Sequence, residues 1–115
     1  MFQDKMVLCA PSAYEKKFYL NENFEGLPQH VKDELKIMCV LFTEDVGGVL
    51  SLEFDENGNL ELNTSADEGD LLYDEIGSVL KIKQMQQEKQ ELFESLETYY
   101  KVFFLGEDIE DDNGD

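Results

Sequence analysis

The clearest pattern in the chain is a change of hydrophobic period at the glycine pair Gly47-Gly48. Before it, Val31, Leu35, Met38 and Phe42 recur at spacings of four, three and four, the repeat of one helix face. After it, Leu50, Leu52 and Phe54 alternate with Val49, Ser51 and Glu53, the repeat of a half-buried strand. The pattern predicts a central helix over about 28–45. Pro28 suits its first turn, Leu27 is placed to pack on Val31, and Asp33 and Glu34 sit near the positive end of the dipole. Ile37, Cys39, Val40 and Leu41 are apolar as well, so the second half of this helix is expected to be covered nearly all round. An extended segment over 37–42 is the competing reading. Gly47 is placed to end the helix in the left-handed conformation open to glycine.

Downstream, Asn57-Gly58 stands between the alternating runs 49–54 and 60–63, which predicts a β-hairpin. Upstream, Met6-Val7-Leu8-Cys9-Ala10 reads as a short strand or packed arm ended by Pro11, and YEKKFYL over 14–20 as a strand. A polar loop over 21–26 follows. Ser65-x-x-Glu68 has the form of a capping box, and a long C-terminal helix is expected over about 70–104. Its apolar line Ile82, Met85, Leu92, Leu96, Tyr99 and Phe103 has one polar slot, Lys89. A straight helix of that length would span roughly 50 Å, so either Gly77 bends it or part of it projects.

These elements make an α+β fold, with both helices on one face of a small antiparallel sheet. One domain over 1–105 is expected, with 106–115, GEDIEDDNGD, as a disordered acidic tail. The other face of the sheet must be polar, or be covered by the N-terminal arm or a second subunit.

Charge narrows the function classes. With 27 Asp and Glu against 9 Lys and Arg, the net charge is -18, which repels nucleic acid and anionic membranes and attracts a basic protein. Solubility alone would also account for it. No apolar run reaches the length of a membrane span and no basic region opens the chain, so a cytoplasmic protein is expected. Cys9 and Cys39 lie in apolar runs without CxxC spacing, the setting of buried reduced thiols.

Catalytic and metal-binding patterns are weak. Asp55, Asn57 and Asn59 imitate the opening of a calcium loop, but glycine falls at the fourth position and Ala66 occupies the twelfth. His30 is the only histidine, too few for a multi-histidine metal site, and no nucleophile stands beside it. The neighbouring acids Glu44 and Asp45, Asp67, Glu68 and Asp70, and Asp74 and Glu75 admit paired-carboxylate chemistry, yet helix starts explain the last two groups equally well. No cofactor motif is present, and an enzyme is not expected.

Three segments, FTEDVGG at 42–48, SADEGDLLYDEIGS at 65–78 and YYKVFFLGED at 99–108, resemble a family of small acidic bacterial proteins of unknown function. The resemblance runs from about Val7 to Asp108. It implies a bacterial cytoplasmic origin and carries no activity, ligand or catalytic residue.

The leading expectation is a non-enzymatic interaction or regulatory module that meets a basic protein. Its expected surface comprises Tyr99, Tyr100 and Phe104 as aromatic anchors with Glu107, Asp108, Glu110, Asp111 and Asp112 from the acidic tail. Core packing against the central helix is the alternative role for the aromatics. A homodimer through the C-terminal helix is a further arrangement. The alternative function is a small-molecule-binding domain with a pocket between helices and sheet, and the third is a carboxylate enzyme using a divalent ion.

Overall fold

A computed structural model describes residues 5–106. The order is β1 (Met6–Ser12), β2 (Lys17–Leu20), a 3₁₀ turn (Glu22–Phe24), α1 (Gln29–Val46), β3 (Val49–Phe54), β4 (Leu60–Ser65), α2 (Glu75–Glu88) and α3 (Gln90–Phe103). The four strands form an antiparallel sheet in the order β2-β1-β3-β4. The fold is therefore α+β, as the periodicities predict. α1 lies within one residue of its expected bounds.

Alternation decides which side of the sheet is buried. Leu50, Leu52 and Phe54 are fully buried, while Val49, Ser51 and Glu53 are partly exposed on the other face. In β1 the register slips between Val7 and Cys9, a bulge that sets Leu8 and Cys9 against the single residue Leu52. Both are fully buried, so the bulge lets two neighbouring side chains enter one core. The strand also continues through Pro11 to Ser12 rather than stopping at the proline. On the outward face Lys5 pairs with Glu61 at 2.8 Å, and the Ser51 hydroxyl donates to Glu53 at 2.8 Å. Among the described residues this side of the sheet carries mainly polar side chains.

Gly47 follows α1 at φ 82, where a side chain would be strained, and its N–H donates to the Thr43 carbonyl. Across the core the Cys9 and Cys39 sulfurs lie 3.9 Å apart, both fully buried. Their mutual S–H···S contact, together with burial, holds the Cys9 thiol well above its usual pKa.

Three expectations are corrected. The C-terminal helix is two helices, broken at Lys89 (φ -110, ψ 25) and not at Gly77. The break re-phases the buried face from Ser78 and Met85 in α2 to Phe93, Leu96 and Tyr100 in α3, so α2 can lie on α1 while α3 turns to the sheet. The capping box does not form either: Ser65 is committed to β4 opposite Val49, and Asp74 caps α2 by accepting from Gly77 N–H at 2.8 Å. A Cβ at Gly77 would collide with that carboxylate, which gives the glycine its role. Finally, Ile37 is 60 % exposed and Leu41 55 % exposed, so α1 is not covered all round. Across from them α2 presents Lys81, Gln84 and Glu88, with Lys89 just beyond its end, long polar side chains that do not cover the two aliphatic ones.

Candidate functional site

The aromatic residues named for an interface, Tyr99, Tyr100 and Phe104, take part in ring contacts with the interior. The Tyr100 ring stacks on Phe54 at 4.4 Å with 5° between planes, and Phe104 stacks on Phe24 at 4.8 Å. Tyr100 is buried, Tyr99 and Phe104 are partly buried, and Phe103 is exposed. Their ring partners outside α3 come from the 3₁₀ turn and the end of β3. Phe24 is fully buried although it falls within the segment that reads as a polar loop. A lone Phe among polar residues was the available signal. Glu107, Asp108, Glu110, Asp111 and Asp112 lie outside the described residues.

The two most exposed large apolar side chains lie elsewhere. Leu71 and Leu72 are 94 % and 91 % exposed, and Ile76, Val79 and Leu80 each exceed half exposure. In α2 the spacing of Ile76, Val79 and Leu80 puts them on the side opposite Ser78 and Met85, which face the protein. Leu71 joins them in lining one open hollow whose rim carries Asp67, Glu68, Asp70 and Glu75. Between Lys36 and Lys81 the chain contains no basic residue. One lysine, Lys83, follows on the next turn of α2.

The loop that carries Leu71 and Leu72 is held in place. The Tyr14 hydroxyl, from the β1–β2 turn, accepts from Asp67 N–H at 2.8 Å and donates to Asp70 Oδ2 at 2.5 Å. Asp70 Oδ1 accepts from Leu72 N–H at 2.9 Å, and Asp74 N–H donates to the Val46 carbonyl at 3.0 Å. Tyr73 donates to Ser78 at 3.0 Å. The hydrogen bond from Tyr14, then that from Leu72, holds the Asp70 carboxyl below its usual 3.8, and the same contact with Asp70 raises Tyr14 above 10.0. The two leucines are therefore displayed from a tethered loop.

A second apolar surface lies between α1 and α2. Met38, Phe42 and Met85 floor a groove of about 620 Å³, with Ile37 and Leu41 on its α1 side. Two ion pairs bridge the helices, Lys81 with Asp45 at 2.7 Å and Lys89 with Glu34 at 2.9 Å. Both are partly exposed and contribute little stability individually.

The acids have structural roles where their contacts are resolved. Asp55 accepts from Asn57 N–H and Asn59 N–H, each at 2.9 Å, and these backbone bonds, that of Asn59 foremost, lower its pKa. It closes the hairpin turn as an Asx motif. Asp70 ties the loop and Asp74 caps α2. Among the described residues no three His, Cys, Asp or Glu side chains converge as metal ligands, and no helix is long and apolar enough to cross a membrane.

Residues 5–108 match the family of unknown function DUF6145, and the chain belongs to that family. No curated protein and no solved structure matches the chain.

Proposed function

We propose that the protein is an interaction module that binds a basic amphipathic segment of another protein on the surface formed by Leu71, Leu72, Ile76, Val79 and Leu80. The observation that supports this reading is the exposure of five large aliphatic side chains within ten residues, beside Asp67, Glu68, Asp70, Asp74 and Glu75. Scattered apolar residues need no explanation, but four that line one hollow, with Leu72 beside them on the tethered loop, support the reading of a recognition surface. Covering these side chains would release on the order of 5–10 kcal/mol before the costs of association. The costs of association are of similar size, so apolar burial gives a weak contact and charge attraction has to supply part of the affinity. The acids restrict the occupant to a cationic one and favour its approach. A helix with apolar residues at i, i+3 and i+4 and lysines around them has the matching chemistry.

A fluorescent Leu/Lys amphipathic peptide tests this by anisotropy, beside a peptide of the same composition with its apolar stripe scrambled. The patterned peptide should bind at least tenfold more tightly, weaken as salt rises, and lose binding to a Leu71→Ser/Ile76→Ser/Leu80→Ser variant. Equal binding of both peptides, or full binding by the variant, would reduce the surface to bulk charge attraction and overturn the proposal.

A further inference from the structure

The flank of α1 opposite α2 forms a third surface, of different chemistry. There Lys36 and Val40 of α1 face Lys16, Lys17 and Phe18 of the β1–β2 hairpin across a cavity of about 450 Å³. A volume of that order is in the range of small-ligand sites.

The charge distribution makes this cavity unusual for the chain. Carboxylates outnumber lysines three to one, so a lysine has partners in surplus; Lys5, Lys32, Lys81 and Lys89 all pair with one. Lys16, Lys17, Lys36, Lys83 and Lys101 form no ion pair with any described residue, and the first three of these line one cavity. Glu44 is the only acid in its lining and lies beyond ion-pair distance of all three. Lys16 is moreover the only non-glycine among the described residues with positive φ, at 54°. Glycine or asparagine would hold that turn with less strain, so the backbone accepts a cost to keep a lysine there.

We infer that this cavity binds a small amphiphilic anion, a carboxylate or phosphate head on a short apolar body. The three ammonium groups supply the charge for the head, and Lys serves as a mobile point charge that adapts to either oxyanion. Phe18 and Val40 supply apolar surface for the body. The net charge does not forbid this, because at physiological salt charges beyond about 8 Å are largely screened. A small anion meets mainly the local lysines, with Glu44 and the neighbouring Glu15 opposing them. A polyanion long enough to leave the cavity meets the acidic remainder and is repelled. The cavity shares no lining residue with the aliphatic surface, and the inference does not depend on that surface being an interface.

The test is an amide NMR titration of the whole chain with octanoate, octyl phosphate and, as neutral control, octanol. At least one of the two anions should shift the Phe18, Val40 and Thr43 signals saturably, at no more than a tenth of the octanol concentration. A Lys16→Gln/Lys17→Gln/Lys36→Gln variant should keep its spectral dispersion and lose at least fivefold in affinity. Which anion binds more tightly identifies the head group. Octanol matching the anions, shifts confined to other residues, no response, or unchanged affinity in the variant would each overturn the inference. Should the triple variant unfold, the single Lys36→Gln change on the exposed side of α1 decides, with at least a twofold loss expected and none overturning it.

Discussion

Two apolar groups close to the ends of the C-terminal helical region look alike in sequence and meet opposite fates. Tyr99, Tyr100 and Phe104 join a stack with Phe24 and Phe54, whereas Leu71, Leu72, Ile76, Val79 and Leu80 stay in water. Both follow helix-like spacing over part of their length. The difference lies in what stands opposite. α3 faces the end of β3 and the 3₁₀ turn, each of which offers a phenylalanine; among the described residues the outer side of α2 faces no other element. Hydrophobicity along a chain therefore says that a side chain needs cover and not where the cover comes from.

The contrast has measurable consequences. Phe54→Ala removes a fully buried ring from the aromatic stack, and unfolding in denaturant should show a loss of about 3–5 kcal/mol. Gly48→Ala should cost more than about 1 kcal/mol: Gly48 has φ 71, and an added Cβ would lie 2.5 Å from the Ser65 carbonyl and 2.9 Å from the Tyr73 ring. The Leu71→Ser/Ile76→Ser/Leu80→Ser variant should remain within about 0.5 kcal/mol per site of the parent while losing the patterned peptide. A large destabilisation would erase the distinction between the two groups. Smaller still, Tyr14→Phe should leave the denaturation midpoint nearly unchanged and speed hydrogen exchange at the Asp67 amide, because the hydroxyl that holds it is gone.

Acidity and alkalinity should loosen the same tether from opposite sides. Asp70 is held below its usual value, so its contribution is complete above pH 3.8 and is lost as pH falls through the depressed value. Tyr14 is held above 10.0, so its contribution is complete below that pH and is lost as pH rises through the raised value. Exchange at the Asp67 and Leu72 amides, corrected for intrinsic rates, should be slowest between these limits. A flat profile would show that the hydroxyl–carboxylate bond does not hold the loop.

Local chemistry made the elements readable. Alternation at 49–54 marked β3, and Asn57-Gly58 marked the hairpin with glycine at positive φ. The four-three-four repeat placed α1. What escaped was tertiary. Nothing in NENFEG says that Phe24 will lie under Tyr100 and Phe104, because its partners are distant in sequence. Lys89 was visible as the polar slot in an apolar line, but that it would break the helix follows from α1 and the sheet requiring different buried faces. Ser65 satisfied a capping pattern that strand pairing overrode. The acidic balance was plain from composition, whereas the gathering of three lysines across α1 and the β1–β2 turn exists only once the chain is folded.

The sulfur pair of Cys9 and Cys39 gives the molecule an internal clock. Neither atom can meet a labelling reagent until α1 lifts from β1, so the rate of thiol modification counts large openings of the core and ignores fraying at the surface. The intact fold thus keeps its only two thiols silent, and their reactivity would announce its loss.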